Sequence, residues 1–284
     1  MAKYFKKYIF LFGAFLLVAA CKKNEKVEAL KFGNLFELPQ GNQPYDDSIV
    51  AFYKQYATYA VYKFTNGDFV GGYTLRLTDT AALGDPKYVG KAFSFFKKNC
   101  LGYYPDSVIK KTIPISILLS SGISKLDKVG NWIPVDGESR STQRMLAIGF
   151  ANQSMDTASA ATLKKYIGSM HRYYFYSLYL NNKLQIPTAF RAMYPTLIFS
   201  YDLDNLHSLG LLEASPTTED VSLDFACFVE LITANTTAEL EAGILKSNVD
   251  TSGKIRKKIK MVADFVKATY NIDLIAIGNS QPVF

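Results

Sequence analysis

From Asp156 onward the apolar residues Leu163, Tyr166, Ile167, Met170, Tyr174 and Leu178 recur at spacings of three and four, the pattern of one long amphipathic helix. A stripe of that length has to be covered by other elements. Upstream, Ile113–Leu119, Trp132–Val135 and Met145–Phe150 read as strands. Downstream, helices are predicted over about residues 219–234 and 250–270, the second turning Ile255, Ile259, Val262 and Val266 inward. Strands come first and helices after. That order predicts an α+β fold, with a small N-terminal sheet region and a helical C-terminal half, rather than a doubly wound one.

The segments before the strands have their own punctuation. Asp46 or Asp47 is placed to cap a helix whose apolar positions are Ile49, Phe52, Tyr53, Tyr56 and Ala60, and Val61–Phe64 reads as a strand ending at the turn Asn66-Gly67-Asp68. Gly71-Gly72 suggests a bend between strands. Pro86 opens a helix through Val89, Phe93, Phe96 and Cys100, and a short helix follows Pro105. Pro114 near the start of the strand at 113–119 assigns it an edge or first position.

The extreme N-terminus is of another kind. Lys3, Lys6 and Lys7 precede an apolar run from Tyr8 to Val18, and Ala19-Ala20 stand before Cys21. This is the layout of a secretory signal peptide, too short in its apolar part for the roughly 20 residues of a spanning helix. Leu17-Val18-Ala19-Ala20-Cys21 resembles the bacterial lipobox, in which the cysteine is acylated and becomes the new N-terminus; the alternative is an ordinary cysteine behind a cleaved signal. Several acyl chains on one residue anchor a protein stably where one chain does not. The expected organisation is therefore a signal peptide at 1–20, a polar tether at 21–42 and a single globular domain at 43–284. Of the 32 Lys and Arg, three lie in the first twenty residues, which leaves 29 against 25 Asp and Glu and a formal charge of +4. That balance does not point to nucleic acid. Cys100 and Cys227 remain as thiols, enough for one bridge, though their apolar helical settings favour free, buried groups.

Catalytic signals are sparse. The mature chain has two histidines, His171 and His207, and no Gly-x-Ser-x-Gly turn, Walker A or dinucleotide glycine pattern. His171 lies at the margin of the inward face of the long helix, where a packed core residue is the ordinary outcome. Asp202, Asp204 and His207 are spaced to offer a metal three donors, or simply to be solvated. The aromatic run Tyr173–Tyr176 with Tyr179 points all round a helix and so makes no flat stacking platform. Lys254, Arg256, Lys257, Lys258 and Lys260 form a basic cluster that reads as a solvated face, with weak attraction to anionic lipid as the alternative.

Phe36-Glu37-Leu38-Pro39-Gln40-Gly41 before Tyr45-Asp46, Phe52-Tyr53-Lys54-Gln55-Tyr56 running into Tyr62-Lys63-Phe64, and Ile255–Ile259 followed by Tyr270–Leu274 together resemble the zinc metallohydrolase lipoproteins of Bacteroidetes that accompany outer-membrane nutrient import systems. The resemblance implies a zincin-like metallopeptidase fold. Active members carry His-Glu-x-x-His on the central helix, where two histidines four apart hold zinc and the glutamate polarises water. Ile167-Gly168-Ser169-Met170-His171 is similar to the approach to that motif, with His171 as a vestigial first ligand. Arg172 then stands where the base belongs and Phe175 where the second imidazole belongs. Leu223-Asp224-Phe225-Ala226 resembles the stretch that supplies an acidic ligand, with Leu223 in place of the glutamate.

One histidine does not hold a catalytic zinc. The expectation is a catalytically inactive, pseudoenzyme-like lipoprotein without a cofactor, a binding or scaffolding accessory of an outer-membrane nutrient importer. It would be attached to the cell outer membrane through Cys21, and Lys22-Lys23 without an acidic cluster favours the periplasmic face. The alternative is an active zinc metallohydrolase, a peptidase, with non-standard ligands around His171, drawn from His207, Asp202 or Asp204.

Overall fold

The computed structural model describes residues 35–70, 78–135, 137–194, 206–212 and 221–284. The expected signal peptide, Cys21 and most of the expected tether lie outside them, as do Gly71-Gly72, Asp202 and Asp204. The body from Phe36 onward is one unit. It begins earlier than the expected boundary at residue 43: the Phe36 ring meets Tyr59 at 5.6 Å, and the Gln40 side chain bonds the backbone of Tyr62 and Lys63. Residues 36–42 are thus docked on the body, because Gln40 supplies the hydrogen bonds that the end of a short strand leaves open.

The strands are β1 (Tyr59–Val61), β2 (Asp79–Leu83), β3 (Ser116–Leu126), β4 (Trp132–Val135), β5 (Ser139–Ser141) and β6 (Met145–Ile148). Among the described residues the helices of seven or more residues are α1 (Pro44–Tyr56), α2 (Pro86–Asn99), α3 (Asp106–Thr112), α4 (Ala160–Leu180), α5 (Val221–Ala234) and α6 (Lys254–Tyr270). The first half of β3 pairs in parallel with β1 and β6, and β5 closes the edge antiparallel to β6. The second half of β3 runs on to pair antiparallel with β2 and β4. The result is the α+β architecture the sequence predicts, a mixed sheet with α4 packed across it and α5 along α4.

Several local expectations are corrected. β3 is the central strand, since Pro114 falls two residues before it and removes no ladder hydrogen bond. α1 ends at Tyr56, where Ala57 turns left-handed at φ 54°, so Ala60 belongs to β1. Asp46 is not the cap but the third helical residue, closing a capping box with Gln43. Asn66–Phe69 is a turn of helix boxed by Thr65 and Asp68. β2 and β5, too short or too mixed to show alternation, escape the sequence pattern altogether.

The main core lies between the sheet and the helices and is rich in aromatics, among them Phe93, Phe95, Phe96, Phe150, Tyr174, Phe175, Phe225 and Phe228. A smaller cluster on the other sheet face holds Tyr59, Val61, Phe69, Leu118, Ile123, Met145 and Ala147, with Phe36 and Leu38 against it. Cys100 and Cys227 are separate, buried thiols.

Candidate functional site on the central helix

α4 is capped by Ser159, whose hydroxyl accepts the Thr162 N–H. At 100° per residue, 171 and 175 share one face, while 169 and 173 share another. These two faces look at different things.

His171 is completely buried. Its Nε2–H donates to the Asn99 carbonyl at 3.1 Å, and its Nδ1 accepts from the Tyr104 hydroxyl at 2.5 Å, with Cys100 Sγ 3.9 Å away. Burial pushes its pKa down to about 4 against the opposing pull of the Asn99 carbonyl, so the ring is neutral with both nitrogens engaged. Burial also raises the Cys100 thiol and the Tyr104 hydroxyl, leaving both protonated. One turn on, Phe175 is wholly enclosed, edge-on to Tyr104 at 6.3 Å and to Tyr270 at 5.9 Å. This face is a closed aromatic core, without the open position that a catalytic metal requires.

Arg172 turns toward α5, where its Nη1 pairs with Glu230 Oε2 at 2.8 Å. Leu223 is half-buried on the first turn of α5, and its neighbour Asp224 is bonded to Lys258 at 2.6 Å. Lys258 is fully buried, unlike the rest of its basic cluster. Its ammonium also donates to the Gly210 carbonyl at 2.8 Å and lies 4.8, 5.3 and 5.5 Å from the Phe190, Phe228 and Tyr194 rings. The expected solvated face therefore keeps one lysine inside, where an aspartate and three aromatic rings replace its water. His207 sits half-buried on the short helix Leu206–Leu209.

Zinc is the metal that the family resemblance implies, and the residues at the expected ligand positions do not fit it. His171 has no free nitrogen, Phe175 and Leu223 offer no donor, and Arg172 brings a positive charge. Among the described residues no three His, Cys, Asp or Glu come together to hold a metal ion.

The other face of α4 meets the sheet edge, and its chemistry was not foreseen from the sequence. The Ser139 N–H donates to Ser169 Oγ at 2.7 Å, and Arg140 Nη1 donates to the Tyr173 hydroxyl at 2.7 Å. Arg140 also pairs with Asp79 at 3.0 Å and with Glu138. Both the Arg140 and the Arg172 guanidinium lie 5.2 Å from the Tyr173 ring centre. Burial pushes the Tyr173 hydroxyl up to about 12 although the two arginines pull the other way. Asp79, Glu138, Arg140, Tyr173, Arg172 and Glu230 thus form one polar chain joining β2, β5, α4 and α5. The sequence signal for it was the pair Ser169 and Tyr173, polar groups four apart on one stripe of α4. Beside the first turns of α4 runs a groove of about 700 Å³ lined by Thr80, Ser121, Ile123, Pro134, Asn152 and Tyr166 among others, with no charged side chain among the described residues of its wall.

No family model matches the chain, and no curated protein matches it. Among solved structures, one from Bacteroides caccae, described as a "putative zinc-binding metallo-peptidase", superposes with a TM-score of 0.54 at 12% identity, covering 84% of this chain and 91% of that one. The likeness is one of fold, and with it the α+β, zincin-like architecture stands.

Proposed function

We propose that this chain is a catalytically silent protein on a zincin-like scaffold, acting as a binding or scaffolding component of the cell envelope. In this reading Cys21 carries the lipid, the outer membrane holds the domain, and an importer of nutrients is its neighbour. The observation that carries the silence is the enclosure of His171: its two nitrogens serve Asn99 and Tyr104 inside an aromatic core, and Phe175 fills the space beside it. A hydrolytic dication needs three donors, an open position and a base, and Arg172 is committed to Glu230 instead. The groove beside α4 supports the binding role, since a wall that mixes hydroxyls and one amide with Ile123, Pro134 and Val135 suits a neutral ligand with both polar and apolar parts, such as a glycan or a peptide.

Two measurements test this. Elemental analysis of protein purified without added zinc is expected to give far less than one zinc per chain; a stoichiometric content that disappears in His171→Gln would replace the proposal with an active metallohydrolase. Affinity purification of the lipid-anchored protein from its native membrane is expected to bring down importer components, and their absence would leave a purely structural lipoprotein.

A further inference from the structure

The sheet has one part that belongs to neither core. Beyond Ile123, β3 continues between β2 and β4 as far as Leu126, and the β3–β4 hairpin closes at Asp127–Asn131, where the Asp127 carboxylate accepts the Val129 and Asn131 N–H groups. The tip carries apolar side chains that face solvent: Val129 is 81% exposed, Trp132 46% and Ile133 43%. Lys125 and Lys128 are exposed on the same hairpin, while the one acid of the turn, Asp127, is folded onto its backbone. An exposed tryptophan, a valine and an isoleucine beside two exposed lysines, against one carboxylate in the turn, match the boundary of an anionic bilayer, where an indole prefers the headgroup level and lysines meet phosphate.

We infer that the β3–β4 hairpin dips into the surface of an anionic membrane through Val129, Trp132 and Ile133, with Lys125 and Lys128 on the headgroups. The inference rests on the anchored reading of Cys21, because so small an apolar tip binds weakly unless the protein is already held near the surface. The chain length allows it. Phe36 lies fifteen steps of chain after Cys21, a reach of at most about 50 Å. Phe36 docks at Tyr59, which pairs with Ser116 at the start of β3, and the 11 residues of β3 span about 35 Å to the hairpin turn. The anchor and the tip can therefore meet the same bilayer.

Trp132 is the only tryptophan of the chain, so its fluorescence reports this site alone. The test uses the processed protein in vesicles of phosphatidylcholine with and without phosphatidylglycerol, with acylation read by intact mass and bromine-labelled lipid as quencher. With anionic vesicles, the emission should shift to the blue and be quenched by bromines near the headgroup. Lys125→Glu with Lys128→Glu should weaken the quenching, each lost lysine costing about a factor of five in local partitioning. Val129→Asp should abolish it. All three substitutions are at exposed positions. Acylated protein that floats with the vesicles while Trp132 emission stays unchanged overturns the hairpin and spares the anchor. If the mass shows no acyl chain the anchored reading falls, and quenching at high lipid still decides the hairpin. A blue shift that depends on protein concentration without vesicles would mean a second copy covers the tip, which also overturns the proposal.

Discussion

The Tyr104 hydroxyl lies 2.5 Å from His171 Nδ1, and the opposite ring nitrogen donates to Asn99, so the imidazole is bound as a neutral core group from both sides. Its folded pKa, about 4, lies below the ordinary 6.5. Between those values the unfolded chain binds the extra proton and the folded one does not. Stability is therefore complete above pH 6.5 and falls as the pH drops toward 4, by roughly 3 kcal/mol for a displacement of this size. Tyr104 and Cys100 titrate only at high pH and add nothing in this window. Denaturant midpoints of the wild type should drop more steeply from pH 6.5 to 4 than those of His171→Gln; parallel curves would show that the ring is not the group responsible.

Arg172 and Glu230 bridge α4 and α5 in a site where the arginine is 11% exposed. Removing one partner leaves the other charge half-buried. Arg172→Ala and Glu230→Ala are each expected to cost about 1–3 kcal/mol, and the double variant less than their sum. A thermodynamic cycle on the four proteins measures the coupling, and strict additivity would reduce the pair to a surface contact.

The Lys258–Asp224 pair is more deeply enclosed, and its ammonium also holds Gly210. Burial lowers the Lys258 pKa, with Asp224 opposing. Asp224→Ala should cost about 3–5 kcal/mol, because it strands a buried ammonium, whereas Asp224→Leu with Lys258→Met should recover much of the loss. Urea unfolding of the three chains checks the order; a double variant as weak as the single would contradict it.

The two faces of α4 make opposite predictions for an introduced metal site. Arg172→Glu with Phe175→His and Leu223→Glu follows the register of the family resemblance, yet puts the second imidazole into the packed space between Tyr104 and Tyr270. It is expected to destabilise the domain by about 3–5 kcal/mol and to bind no zinc. Ser169→His with Tyr173→His and Arg172→Ala instead places two imidazoles four apart toward β5 and releases Glu230 beside them, and it should bind zinc measurably against a chromophoric chelator. Zinc affinity in the first set and none in the second would reverse the assignment of the faces.

Where periodicity was strong, the sequence was a good guide. α4, α5 and α6, the opening of α2 at Pro86 and the strand character of β3, β4 and β6 were all legible, because a buried stripe forces its spacing on the residues. What could not be read was pairing. An apolar run such as Ile113–Leu119 looks the same at a sheet's centre and at its rim, and three-residue strands such as β5 contain no period at all. The face of His171 was equally hidden. Its surroundings, Asn99, Cys100 and Tyr104, come from a segment some seventy residues earlier, and only the turn after α2 brings them under α4. Lys258 shows the same limit, since a lysine inside a basic run looks solvated until its aspartate, 34 residues away, closes on it.

The short β5 rim has a wider consequence. A sheet that ends in open backbone invites strands from other molecules. Here the last strand is only three residues long, and Ser169 and Tyr173 clasp it from below through Ser139 and Arg140. A visiting strand finds too few free amides to grip at this rim and a half-buried arginine where it would need to lie flat. The same clasp that occupies this side of α4 thereby protects this one edge of the sheet.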